Sequence, residues 1–157
     1  MTNPIEQFGE ERRQQIASYA RDATFTAQSQ SWLESSMRKR YVYNFDWLGR
    51  PIIQYPQDMV AMQELVWATR PDLIIETGIA HGGSLVLSAS LLAMLDYCDA
   101  VQTGTALDPR ASRRRVLGLD IDIRAHNRAE IEAHPMAHKI DMIQGSSVAP
   151  DVVAQVQ

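Results

Sequence analysis

Within nine residues, Glu76-Thr77-Gly78-Ile79-Ala80-His81-Gly82-Gly83-Ser84 gathers a carboxylate, two hydroxyls, an imidazole and three glycines. Leu73-Ile74-Ile75 runs directly into it, so a buried strand breaks into a glycine turn and restarts as a helix that Ser84 can cap. Gly78 permits the tight turn, and Gly82 with Gly83 lets backbone approach a ligand closely. Two further apolar runs end in the same manner, Val116-Leu117-Gly118-Leu119 in Asp120-Ile121-Asp122 and Ile140-Asp141-Met142-Ile143 in Gln144-Gly145-Ser146-Ser147. Ligands of an open parallel sheet collect outside the carboxyl ends of its strands, where all three polar sets fall. A carboxylate after the second strand can accept hydrogen bonds from two ribose hydroxyls, which a neutral side chain does less well. Asp120 is the first choice for that role and Asp122 the second. Gly145 and Ser146 would let an adenine ring lie against backbone while a hydroxyl or amide reads its edge. These residues therefore suit the capture of a nucleotide-like cofactor.

The spacing narrows the cofactor. A dinucleotide fold wants G-x-G-x-x-G, but Ala80 stands where the second glycine belongs, and a phosphate loop wants a lysine that does not follow Gly83. What remains, E-x-G-x-x-x-G-x-S, resembles the first motif of methyltransferases that use S-adenosylmethionine (SAM), particularly the small O-methyltransferases of the catechol type. There the turn takes the methionine end of SAM, which has no pyrophosphate. The cofactor contacts expected on this basis are Glu76, Thr77, Gly78, His81, Gly82, Ser84, Asp120, Asp122, Gly145 and Ser146. Each also has a plainer reading: glycines for close packing, Asp120 as a cap or loop carboxylate, and Ser146-Ser147 as the start of a helix.

The elements that position these groups follow from apolar periodicity. Residues 5–21 and 26–40 read as amphipathic helices, the second burying Trp32, Leu33 and Met37 on one face. They precede the sheet and suit a substrate cover, a subunit contact or a surface layer. Tyr41, Tyr43, Phe45 and Trp47 alternate like one face of a strand, and Gly49-Arg50-Pro51 reads as a turn. Residues 56–69 form the next helix, with Met59, Met62, Leu65, Val66 and Trp67 as its buried stripe and Asp58 as a first-turn acid. Residues 97–115 lack periodicity and read as a long, mobile connection, in which Arg110, Arg113, Arg114 and Arg115 form a solvated basic cluster. His126, His134 and His138 have no metal-ligand spacing and read as surface. Residues 148–157 have the apolar spacing of a helix with Pro150 in its first turn and no stop signal behind it, so Gln157 falls inside a helix.

Taken in order, Asp46-Trp47-Leu48-Gly49-Arg50-Pro51, Tyr55-Pro56-Gln57-Asp58, Arg70-Pro71-Asp72, the glycine turn, Asp120-Ile121-Asp122, Ile123 to Arg128, Ile131 to Pro135 and Gln144 to Ser147 form a more specific set than any single motif. Over about residues 41–157 the chain resembles the cephalosporin-hydroxylase and rhamnosyl O-methyltransferase family. The resemblance implies an α/β, Rossmann-like SAM-methyltransferase three-layer sandwich with an amino-terminal helical extension. Members are described as sugar O-methyltransferases or as acting in the methoxylation of cephem antibiotics. They normally run well beyond this length, with a fourth strand ending in Asp and acidic metal ligands after it. The fold is thus expected to be truncated after its third strand, with residues 1–55 as extension and lead-in and 56–157 as the first half of the SAM-binding domain. Any Mg²⁺ would be held by residues beyond this chain, and no metal ligand is assigned within it.

SAM already carries an activated methyl group, so the protein must align an acceptor hydroxyl with it and deprotonate that hydroxyl. His81 is the one candidate base, because an imidazole titrates near neutrality, although a turn histidine also suits backbone or the cofactor carboxylate. The function expected is O-methyl transfer to a small-molecule hydroxyl, on a sugar or a secondary metabolite, in a homo-oligomer or a single chain. The alternatives are a non-catalytic or truncated SAM-binding module and a cephem hydroxylase. The last would need a redox centre, and no 2-His-1-carboxylate pattern or flavin or NAD fingerprint is present. A net charge of -4 gives no footprint for nucleic acid. The single cysteine, Cys98, and the lack of a signal-peptide core fit a reducing cytoplasm, and the apolar stretch 85–95 is too short to span a bilayer.

Overall fold

A computed structural model describes residues 3–156, which divide into two compact units, 1–41 and 42–157. The first holds helices α1 (Pro4–Tyr19) and α2 (Ala23–Arg38). Asn3 and Asp22 cap them, each side chain accepting from a backbone N–H of the first turn. The expected burial of Trp32, Leu33 and Met37 is not found: all three are exposed, and Ser36 is the buried residue of α2. Two short helices have too little surface to enclose an apolar stripe. Their aromatic residues pair instead, Tyr19 with Phe25 at 5.1 Å and Trp32 with Tyr41 edge-on at 5.8 Å between ring centroids.

After a 3-10 turn, Tyr41–Tyr43, the second unit opens with a hairpin of β1 (Phe45–Trp47) and β2 (Arg50–Ile52). The turn expected at Gly49-Arg50-Pro51 falls one residue earlier. Leu48 and Gly49 both have positive φ, 47° and 84°, as the two-residue loop favoured by strand twist requires, and this releases Arg50 and Pro51 into β2. The sequence boundary at residue 55 would leave this hairpin with the extension, whereas the compact units group it with the sheet.

Helix α3 (Pro56–Thr69) then leads to β3 (Leu73–Thr77), α4 (Gly83–Thr103), β4 (Arg115–Asp120), α5 (Ala125–Glu132), a 3-10 segment Pro135–Lys139, β5 (Ile140–Gln144) and α6 (Pro150–Val156). The three strands lie side by side in the order β3-β4-β5, all parallel, which is the Rossmann-like α/β arrangement expected. Register puts Ile74, Val116, Ile140 and Met142 on one face, and that face meets Leu85, Val86, Ala89, Leu92 and Leu95 of α4, Val66 of α3 and Ile131 of α5 in a single core. Two crossovers running in the same direction and hand bring their helices to the same side of a sheet. On the opposite face Leu73 and Ile75 are about half exposed.

Helix α4 is longer than its sequence suggests. It absorbs residues 97–103 of the expected loop and stops at Gly104, whose φ of 68° closes the last turn. Its 21 residues are long and apolar enough to cross a membrane by length and composition, yet eight of them are buried, five in this core. The stripe of α3 is also only partly as expected, since Val66 is buried while Leu65 and Trp67 are more than half exposed.

The basic cluster is a solvated loop only in part: Arg110 and Arg113 are exposed, but Arg114 and Arg115 are not free. Arg114 pairs with Asp96 and Asp99 of α4 at 2.7 and 2.9 Å, and Arg115, the first residue of β4, grips Asp141 through two nitrogens. His134 and His138 are half-buried rather than on the surface. His134 Nδ1 accepts from the Met136 N–H at 3.1 Å, which leaves Nε2–H to donate to the Leu48 carbonyl at 3.0 Å. In α6, Val152 is buried and Val148 lies outside the helix, while the expected helical Gln157 falls outside the described residues.

Candidate functional site

The glycine turn sits at the carboxyl end of β3, and its backbone is unusual at alternate residues. Gly78, Ala80 and Gly82 have φ of 90°, 48° and 84°. Ala80, which breaks the dinucleotide spacing, still occupies a left-handed conformation that costs a non-glycine residue about 1–2 kcal/mol. Gly82 rather than Ser84 is the N-cap of α4, and Ser84 lies inside the first helical turn. The reason is geometric: Gly82 donates its N–H to the Ile79 carbonyl at 2.8 Å, closing the turn so that the helix starts at Gly83.

Neither Gly82 nor Gly83 needs a ligand to account for it. A Cβ on Gly82 would run into Ile131 of α5, and one on Gly83 into the Pro51 carbonyl and Ile52 of the hairpin. Gly83→Ala is therefore expected to cost about 1–3 kcal/mol, since backbone has to move, and a urea unfolding midpoint measures it. Gly145 is similar: its Cβ would lie 2.6 Å from Val152 Cγ2.

Asp120 reaches back from β4 to organise the turn. Its Oδ2 accepts from the Ile79 N–H at 2.7 Å and from Ala80 at 3.4 Å, and its Oδ1 from Asp122 at 3.1 Å. Burial acts to raise its carboxyl, but backbone donors from Asp122, Ile79, Ala80 and Ile121 outweigh it and hold the group below the usual carboxylate range. Asp122 is exposed, and its carboxylate has no hydrogen-bond partner among the described residues, so it is the freer of the two candidates for a ribose.

Two cavities flank the turn. One, of about 330 Å³, is lined by Ile53, Ala80, His81, Asp120, Asp122, Arg124 and Asn127. The other, of about 420 Å³, is lined by Gln54, Asp58, Met59, Ala61, Met62, Leu65, Glu76, Thr77, Gly78, Ser84, Leu87 and Ser88. Glu76 is oriented by a hydrogen bond from the Ser88 hydroxyl of α4. Between the cavities a smaller space brings Ile53 and Gln54 against Gly78, His81 and Ser84.

The structure thus brings Glu76, Thr77, Gly78, His81, Ser84, Asp120 and Asp122 around one turn, with Gly82 packed beneath it. Gly145 and Ser146 line none of these cavities, although Gly145 is joined to the site by its N–H, which donates to the Asp120 carbonyl at 2.8 Å. Sequence reasoning missed Gln54, Arg50 and Asn127 and preferred a helix-start role for Asp58 over that of a base. Asp58 does open α3, but it also faces the larger cavity with Glu76, so two carboxylates and no Lys or Arg line it among the described residues. No periodicity could have given that pairing, since it needs α3 to pack beside β3. Among the described residues no group of three or more His, Cys, Asp or Glu is placed to hold a metal ion.

Three chains among the solved structures are similar, all of CmcI. Its Mg-SAM form is 19% identical with a TM-score of 0.50, over 73% of this chain and 41% of that one. Its apo form is 19% identical at a TM-score of 0.49, over 72% and 40%, and its SAH form 22% identical at 0.43, over 65% and 43%. The chain spans about two fifths of the length of these proteins, and the likeness concerns the fold. No curated protein matches the sequence. Residues 39–157, about three quarters of the chain, match the family described as Rhamnosyl O-methyltransferase/CmcI, and the chain belongs to that family.

Proposed function

We propose that this chain carries the cofactor site of a SAM-dependent O-methyltransferase that methylates a hydroxyl of a small molecule, a sugar or a secondary metabolite, in the cytoplasm. One observation carries the reading: the cavity of about 420 Å³ beside the glycine turn presents Asp58 and Glu76 and no cation. SAM bears a sulfonium and an ammonium, so two carboxylates at the rim of a partly apolar cavity suit it, while Met59, Met62 and Leu87 can cover its thioether chain. The polar cavity across the turn, with Asp122, Arg124 and Asn127, suits the ribose and adenine. When bound, SAM supplies an electrophilic methyl group. The residues described here bind and orient the cofactor through Glu76, Asp58 and the turn. His81 lines the polar cavity and the bridging space, where an imidazole can meet the cofactor carboxylate or take a proton. Among the described residues no cluster of His, Cys, Asp or Glu fits a Mg²⁺ ion.

Calorimetric titration of SAM and S-adenosylhomocysteine (SAH) into the folded chain tests the reading. Saturable binding is expected, weakened about tenfold, or about 1.4 kcal/mol, by Glu76→Gln with little change in unfolding midpoint. A folded chain that binds neither compound overturns it.

A further inference from the structure

We propose that Arg50, with Asn127 as its partner, is a positioning residue that sets the shape of the cofactor turn from the hairpin, an inference that rests on reading this turn as the SAM site. Three left-handed residues in five make the turn a poor conformation for a free chain, and it needs an outside grip. The hairpin supplies one. Arg50 Nε and Nη2 both donate to the His81 carbonyl, at 3.1 and 2.6 Å, while Asn127 Nδ2 donates to the Ala80 carbonyl at 2.8 Å. The two side chains also meet each other, Arg50 Nη2 lying 3.5 Å from Asn127 Oδ1.

Successive carbonyls are therefore held by two buried side chains from β2 and α5, and one of the bonds is charge-assisted and forked. The Arg50 side chain is 12% exposed, with Glu130 at 3.6 Å as its outer partner, and Asn127 is 4% exposed. Arg50 itself cannot wander. Its strand is pinned by Pro51 and Ile52 over Gly83, and the Leu48 carbonyl before it accepts from His134. Together with Asp120, which takes the amides of Ile79 and Ala80, this fixes both edges of the peptide that separates the two cavities. Arg50 lines none of those cavities and acts through the turn alone.

The test uses the full 157-residue chain as wild type, Arg50→Met and Arg50→Lys. Amide hydrogen exchange at Ile79 and Gly82 is compared with that of core amides in α4, and SAH affinity is measured alongside. Arg50→Met is expected to speed exchange at Ile79 and Gly82 about tenfold or more relative to α4, and to weaken SAH by a similar factor. Lysine, which restores the charge and one donor, is expected to recover part of both. Exchange unchanged at the turn, or raised equally in α4 and the turn, overturns the proposal. If Arg50→Met does not fold, the lysine variant decides: wild-type exchange and affinity in it overturn the proposal. A wild type that binds no SAH removes the cofactor reading, and the exchange comparison still decides whether Arg50 shapes the turn.

Discussion

Lys139→Met is expected to lower the free energy of unfolding by about 3–5 kcal/mol, the range for removing one partner of a buried ion pair. Lys139 is 1% exposed, and its ammonium lies 2.5 Å from Asp96 Oδ2 and 2.7 Å from the Ser112 hydroxyl. Methionine keeps most of the volume, so the loss comes from charge and hydrogen bonding rather than from a cavity. Arg114 still faces Asp96 in the variant, which places the effect toward the lower end of the range. The network runs further: Arg114 also meets Asp99, which pairs with Arg70 at the end of α3. It thereby fastens α3, α4, the 104–114 loop and the start of β5 at the end of the sheet away from the turn. Urea unfolding followed by tryptophan fluorescence measures the loss. The acid side gives a second readout. Burial alone would raise the Asp96 carboxyl, but hydrogen bonds from Lys139, Ser112 and Arg114 and the charge of Lys139 outweigh it and hold it below its usual range. A carboxyl depressed on folding contributes stability that is complete above about pH 4 and is lost as pH falls through the lower folded value. Wild type is therefore expected to lose stability more steeply below about pH 4 than Lys139→Met does.

Asp120→Ala is expected to reduce SAH affinity by about a hundredfold and to cost about 2–3 kcal/mol of stability, because it deprives the Ile79 and Asp122 amides of an acceptor and frees the turn. Asp122→Ala is the control. Its carboxylate is exposed, and losing a ribose contact there is expected to weaken SAH about tenfold with an unchanged unfolding midpoint. Calorimetry and urea unfolding on the two variants separate shaping the turn from reading the ribose. Equal effects on affinity with no effect of Asp120→Ala on stability would return Asp120 to a simple ligand role.

Much of this fold was legible in the chain. The three parallel strands lie where the apolar runs at 73, 116 and 140 placed them, because short, largely apolar runs that end in glycine or polar residues have few other outcomes in an α/β chain. Family membership was legible too, from the order of its motifs. Tertiary information was not. Lys139 carries no signal in the sequence and is among the most buried side chains, because its partners sit 25 to 43 residues away. Arg50 reads as a turn residue, yet its role depends on a carbonyl 31 positions on. Ala80 shows the limit most clearly. Its side chain breaks the dinucleotide fingerprint, while its backbone takes a left-handed conformation that glycine adopts at no steric cost.

Among the described residues β3 is hydrogen-bonded to a neighbour only through β4, and the apolar face beside that open edge shows Leu73 and Ile75 to water. A row of unpaired amides next to aliphatic side chains is a template for another strand. Whatever settles on it, whether chain of the same kind or another, adds its own free energy of association to the folded state, so the apparent stability of this sheet becomes a function of protein concentration. The strand that presents Glu76 to the larger cavity is then also the strand through which association at the edge reaches that cavity.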